Sequence, residues 1–165
     1  MGICLGFYSN IFNFQGSFCI DRTKGAFDTL IIIYQKRIKA DQKNIKWRTH
    51  VTKLENLPMS EEEIVSLFGN LLDNAIEACE QIKDNERWIQ IQFSRQKRIL
   101  NMEISNSIEK TPREENGRLV SSKSDKRQHG YGMKSVRQIV DRNGGEFSYQ
   151  IRGKEFCARI TFFDL

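Results

Sequence analysis

The sequence predicts an α/β protein, a two-layer α/β sandwich in which one mixed, largely antiparallel sheet is covered on one face by three helices. Three observations lead there. Apolar residues recur with helical spacing at 26–39, at 60–82 and after Gly132. They alternate with polar ones at 45–51, 87–93, 98–106 and twice more near the C-terminus. Helices and half-apolar strands in these proportions bury their faces most simply as one layer on the other. With 165 residues, one domain is expected and the chain is long enough for a real core.

The first helix, 26–39, is expected to bury Phe27, Leu30, Ile31, Tyr34 and Ile38 on one face. A strand at 45–51 follows, with Trp47 near its centre and His50 as a partly buried strand residue. Leu57-Pro58-Met59 turns into the long helix 60–82. Ser60 is its N-cap and Glu63 stands at the capping-box position. Its core stripe is Ile64, Leu67, Phe68, Leu71, Ala75, Ala78 and Ile82, with Cys79 a small core residue. Ile89, Ile91 and Phe93 line one face of the next strand. Leu100, Met102 and Ile104 line the one after it, with a hairpin turn expected at Gln96-Lys97. Residues 107–128 show no periodicity and read as a lid. A glycine turn at Gly130 and Gly132 then enters a helix carrying Met133, Val136, Ile139 and Val140, stopped by Asn143-Gly144-Gly145. Two alternating strands close the chain, with Phe147, Tyr149 and Ile151 on one and Phe156, Ala158, Ile160 and Phe162 on the other.

The composition is that of an ordinary globular protein, 39% hydrophobic and 28% charged. A net charge of +5 suits an anionic ligand, and no run of like charge is long enough for a nucleic-acid arm. Four cysteines stand far apart without CxxC pairing, so neither zinc nor a disulfide framework is indicated and a reducing cytoplasm fits. Residues 1–18 are aromatic and apolar, but Ser9, Asn10, Asn13 and Gln15 interrupt them, so no membrane span is expected and no membrane contact by this chain.

Two features carry chemistry. Asn70 and Asn74 lie four residues apart in a helix, hence on one face, and Glu77 extends the stripe. Asparagine is a poor helix former, so a merely solvated face would more cheaply use lysine, glutamate or alanine. Carboxamide oxygens at this spacing can hold a hard cation and its waters. The second feature is His129-Gly130-Tyr131-Gly132-Met133-Lys134. Glycines ahead of a helix let its free N–H groups approach an anion, and the helix dipole favours phosphate. Each feature alone is weak; together they point to a nucleotide.

The segment Asn70-Leu71-Leu72-Asp73-Asn74-Ala75-Ile76-Glu77-Ala78 resembles the N-box of the GHKL superfamily of gyrase, heat-shock chaperone ATPases, histidine kinases and MutL. Gly130 to Met133 resembles its second glycine box. The wording of both is similar to the ATP-binding domain of receptor histidine kinases that sense peptide pheromones in Gram-positive bacteria. The resemblance spans roughly 21–165 and implies a Bergerat-type sandwich: an ATP-binding catalytic domain with lid 107–128, preceded by a segment, 1–20, of undetermined role. It further implies ATP and Mg²⁺ as cofactors, with Asn74 ligating the metal and Asn70 beside it. Asp73, Asn106, His129, Gly130, Tyr131, Gly132, Met133, Lys134 and Lys123 complete the nucleotide site. In hydrolytic members a glutamate stands at the place of Asn70; an amide is no general base, which favours phosphoryl transfer over hydrolysis. Ile104-Ser105-Asn106-Ser107 stands where the superfamily's first glycine box has an aspartate, so Asn106 would read adenine. Glu77 departs from the basic residue many histidine kinases place there, and the missing charge would come from Lys123, Lys126, Arg127 or Lys134.

The implied reaction is transfer of the γ-phosphoryl group to a histidine on a separate dimerisation helix. The partners would be that phosphoacceptor domain and later a response regulator, in the cytoplasm, with no nucleic acid. Neither His50 nor His129 has phosphoacceptor surroundings, and His129 either reaches a phosphate oxygen or closes its loop. Two other readings stand: an anti-sigma-factor-type serine kinase, and a non-catalytic nucleotide-binding interaction module.

Overall fold

The computed structural model describes residues 26–51, 57–115, 118–120 and 131–164. They form helices α1 (Ala26–Asp41), α2 (Glu61–Glu80) and α3 (Tyr131–Arg142). The strands are β1 (Lys46–Val51), β2 (Trp88–Gln96), β3 (Ile99–Ser107), β4 (Arg113–Glu115), β5 (Arg118–Val120), β6 (Gly145–Arg152) and β7 (Glu155–Phe162). Five strands make the main sheet in the order β1-β2-β3-β7-β6, and β4 and β5 form a separate hairpin. Only β1 and β2 pair in parallel within the main sheet. A parallel pair needs a crossover, and α2 supplies it. The mixed, largely antiparallel sheet under three helices is the architecture the sequence predicts.

Register places one apolar row after another against the helices. Ile91 stands opposite Ile104, Ile104 opposite Ala158 and Ala158 opposite Tyr149. Phe93, Met102, Ile160 and Phe147 make the adjacent row. From above, α2 contributes Ile64, Leu67, Phe68, Leu71, Leu72, Ala75, Ile76 and Cys79, all buried. The rings of Phe68 and Phe93 meet at 5.5 Å between centroids, tilted by 60°. Burial of side chains this size stabilises by about 1.5–3 kcal/mol each.

The capping box forms as predicted. Ser60 Oγ accepts from the Glu63 N–H at 3.3 Å, and Glu63 Oε2 accepts from the Ser60 N–H at 3.1 Å. At the far end of α3, Gly144 takes φ of 71°, the left-handed turn that ends the helix. Gly145 then enters β6 with the Phe162 ring so close that a Cβ would lie 2.6 Å from it.

Four expectations are corrected. First, α1 turns differently: Leu30, Ile32, Ile33 and Ala40 are buried, whereas Ile31, Tyr34 and Ile38 are 41%, 36% and 43% exposed. The run Leu30-Ile31-Ile32-Ile33 is apolar on every side, so its periodicity does not fix a face; packing on α2 does. Second, His50 is exposed, because β1 is an edge strand and that position faces away from the helices. Third, the β2–β3 turn lies at Lys97-Arg98, with Lys97 at φ 54° and Gln96 paired to Ile99. Fourth, the expected lid is not structureless throughout: Ser107 ends β3, Ile108 N–H bonds the Lys154 carbonyl at 2.9 Å, and Arg113 to Val120 close the small hairpin. Residues 116–117 and 121–128 of that stretch, and segment 1–20, lie outside the described residues. No described helix is long and apolar enough to cross a membrane.

Gly145→Ala should destabilise the fold by about 1–3 kcal/mol, since its methyl would press on the buried Phe162 ring and on Val140 Cγ1 at 2.9 Å. Urea denaturation of the variant measures this. An unchanged midpoint would show that the ring yields.

Candidate functional site

Helix α2 is the axis of the site, and its two neighbours are keyed to opposite ends of it. Helix α3 runs antiparallel to α2. Glu63, at the start of α2, takes Asn143 Nδ2 on Oε2 at 3.1 Å and Arg142 on Oε1 at 3.3 Å, both from the end of α3. One turn on, Ser66 Oγ meets Ser135 Oγ at 3.5 Å. One turn further, Asn70 arrives at Gly132: a Cβ on that glycine would stand 3.2 Å from Asn70 Oδ1. The polar stripe of α2 thus leads to the first turn of α3, where unpaired N–H groups and the positive end of the helix dipole collect.

Asn70 is half-buried and its amide nitrogen approaches Ser66 Oγ at 3.5 Å. Asn74 is exposed, its carboxamide open to solvent on the stripe beyond Asn70. Met133 is half-buried against the core and Lys134 is exposed on the first turn of α3. Tyr131 begins that helix. The structure therefore joins Asn70 to Gly132 and its neighbours, two motifs about 60 residues apart in sequence. His129, Gly130 and Lys123, like Lys126 and Arg127, lie outside the described residues.

Asp73 goes elsewhere. Lys36 Nζ donates to its Oδ2 at 2.6 Å and Lys39 Nζ to its Oδ1 at 3.1 Å. Its carboxylate is thus held by α1 instead of standing beside Asn70 at α3. Burial pushes its carboxyl up, but hydrogen bonds from the two ammonium groups and their charges outweigh this, and its pKa lies below the ordinary value. Lys43 and Glu80, each seven residues further on, repeat the contact, so α1 and α2 run parallel. Sequence reasoning missed these lysines. The signal available was two cations three residues apart on a helix, which is usually a solvated face.

Asn106 is 3% exposed on the inward face of β3, between Ile89 and Phe156 on the neighbouring strands. The alternation of β3 predicts that direction. Its Nδ2 donates to the Ser107 carbonyl at 2.9 Å. Beside it, Ser107 Oγ accepts from the Trp88 N–H at 3.0 Å, and the Cys79 thiol lies 3.5 Å from the same oxygen. Burial pushes the Cys79 thiol up, so it is a core group as expected. An open hollow of about 290 Å³ between Asn44, Lys46, Lys83, Asn85, Glu86 and Arg87 lies past the C-terminal end of α2 and contains none of these residues.

Two amides on one helix, the start of a second helix beside them and a buried amide at the end of a core strand are the polar features the fold sets around α2. The family model for the GHKL domain matches residues 59–163, and the chain belongs to that family. Its fold is that of histidine kinase catalytic domains. It is similar to the catalytic domain of histidine kinase ThkA, with a TM-score of 0.65 at 17% identity over 83% of this chain and 92% of that one. The mycobacterial sensor histidine kinase MprB aligns with a TM-score of 0.63 at 15% identity, over 82% of this chain and 93% of that one. The Acinetobacter baumannii histidine kinase AdeS aligns with 0.61 at 14%, over 86% and 66%. At such identities the likeness establishes the fold. No curated protein matches the sequence.

Because the folded-state pKa of Asp73 is lowered, its pairing contributes stability that is complete above the ordinary aspartate value of about 3.9 and is lost as pH falls through the folded value. Asp73→Asn should therefore flatten the acid arm of the stability–pH curve. Thermal melts between pH 5 and pH 2 check this; superposable acid arms would show that the pairing contributes nothing.

Proposed function

We propose that this chain is the ATP·Mg²⁺-binding catalytic domain of a sensor histidine kinase. It transfers the γ-phosphoryl group to a histidine on a separate dimerisation helix. The observation that carries this reading is the meeting of Asn70 with Gly132. There the amide stripe of α2 passes the N-terminal turn of α3, and the absent Cβ lets the Asn70 carboxamide come close to that turn.

The residues present fit a metal–nucleotide pair. Asn74 offers a neutral oxygen from an exposed position, the donor type a hard cation accepts. Mg²⁺, when bound, neutralises part of the triphosphate charge. Asn70 holds the stripe beside it, and Gly130, Tyr131, Gly132 and Met133 supply backbone N–H groups for phosphate. His129, Lys134 and Lys123 add charge or hydrogen bonds to the same end, and Asn106 reads adenine. The γ-phosphorus exchanges its bond to ADP oxygen for one to an imidazole nitrogen of the partner. The chain contributes position and electrostatics, as is usual in phosphoryl transfer.

Asn70 also argues against hydrolysis, since a carboxamide takes no proton from water at neutral pH. Among the described residues His50 lies on an exposed edge strand. We place the phosphoacceptor on another helix, whether upstream or on a partner subunit, and a cytoplasmic response regulator after it.

Calorimetric titration with ATP should show binding that Mg²⁺ strengthens. Asn74→Ala should lose that strengthening while its melting temperature stays near the parent's. A parent that binds no ATP with Mg²⁺ present would remove the enzyme reading and leave the interaction module. Gly132→Ala should keep or raise stability, since alanine favours helix by about 1 kcal/mol. It should nevertheless weaken ATP·Mg²⁺ by crowding Asn70; tight binding by this variant would count against the site. Incubated alone with γ-labelled ATP, the chain should acquire no acid-labile phosphate. Label on His50 or His129 would overturn the separate-acceptor assignment.

A further inference from the structure

We propose that Lys36 and Lys39 of α1 belong to the nucleotide site as positioning residues: by neutralising Asp73 they let the phosphates of ATP settle beside Asn74. The inference rests on the ATP-binding reading above. Asp73 immediately precedes Asn74, so the two side chains leave α2 about 100° apart. A triphosphate arriving at Asn74 thus meets the carboxylate of the preceding residue. That repulsion acts inside the roughly 8 Å over which physiological salt screens charge.

Helix α1 supplies the compensation. Each carboxylate oxygen of Asp73 carries one ammonium, from Lys36 at 2.6 Å and from Lys39 at 3.1 Å. The Lys36 side chain is only 17% exposed, so its charge is held in place. Two lysines against one aspartate leave a formal charge of +1. Without the lysines the Asp73 carboxylate would stand uncompensated beside Asn74. Sequence alone seeks the missing cation in the lid or beside the glycines; the fold brings two to the N-box from a third helix.

Lys43 provides the comparison. It stands in the turn just after α1 and pairs with Glu80, the last residue of α2, two turns past Asp73. It shares the role of joining α1 to α2 but lies away from Asn74.

The test is calorimetric Kd for ATP·Mg²⁺ and for adenosine, in the whole chain, for the parent, Lys36→Met/Lys39→Met, that double variant with Asp73→Asn, and Lys43→Met. The double variant should lose about tenfold in ATP·Mg²⁺ affinity, equivalent to about 1.4 kcal/mol, and bind adenosine like the parent. Adding Asp73→Asn should restore most of the loss, and Lys43→Met should leave ATP binding unchanged. ATP binding by the double variant equal to the parent's overturns the proposal. So does a triple variant as weak as the double, which would put the lysines directly on phosphate. So does a parallel fall in ATP and adenosine affinity, or an equal loss in Lys43→Met, which would reduce the pairs to helix packing. A folded parent that binds no ATP removes the ATP-binding reading and this proposal together; a parent that binds ATP as its variants do removes this proposal alone.

Discussion

The placement of α2 is the constraint on which the rest of this molecule depends. The helix is apolar on one side from Ile64 to Cys79 and must lie on the sheet. That leaves its polar stripe upward, between two other helices. Glu63 sets its beginning twice over. Its carboxylate caps the Ser60 N–H and also takes the end of α3 through Asn143 and Arg142. The Ser60 backbone hydrogen bond, followed by that from Asn143, holds the Glu63 carboxyl below its usual range. Capping and helix docking are therefore one interaction, and α3 is aimed back along α2 until its glycine-led start stops at Asn70.

The sheet supports this at two points where ordinary side chains would not serve. Gly145 admits the Phe162 ring, which lets β6 follow α3 without a gap. Asn106 puts a polar group into an otherwise apolar face, 3% exposed. A buried amide is tolerated only when its hydrogen bonds are met, and the Ser107 carbonyl meets one of them. Asn106, Ser107, Trp88 and Cys79 form a small polar knot where β2, β3 and α2 converge.

The chemistry follows from the choice of neutral donors. On the function proposed above, amides at Asn70 and Asn74 would offer oxygen to a cation without adding negative charge near phosphate, and an amide cannot activate water. Two carboxylates in the second half of α2 are matched from α1 and the turn after it, Asp73 with Lys36 and Lys39, Glu80 with Lys43. Surface ion pairs of this kind contribute little to stability singly, about 0–1 kcal/mol. Their effect on an incoming anion is a separate matter, because it depends on net charge near the site.

The sequence by itself determined the sandwich, the capping box at Ser60 and Glu63, the amide pair, the glycine-led helix and most of the core stripe of α2, though not Leu72 and Ile76, which are buried as well, nor Ala78, which is only half-buried. These are local facts: period, cap chemistry and turn residues are written within one or two turns of chain. It also determined the direction of Asn106, since alternation in a strand fixes the face. Only the tertiary structure decided which side of α1 is buried, because Leu30 to Ile33 is apolar all round and the choice belongs to the partner helix. It alone decided that His50 sits on an exposed edge, that Arg113 to Val120 pair within the expected lid, and that Gly132 faces Asn70. Asp73 shows the reason most plainly. Within its own helix it reads as part of an acid and amide stripe, and its lysines stand 37 and 34 residues away on another helix. A contact across that distance has no local period or cap to announce it; it exists only once both helices lie on the same sheet.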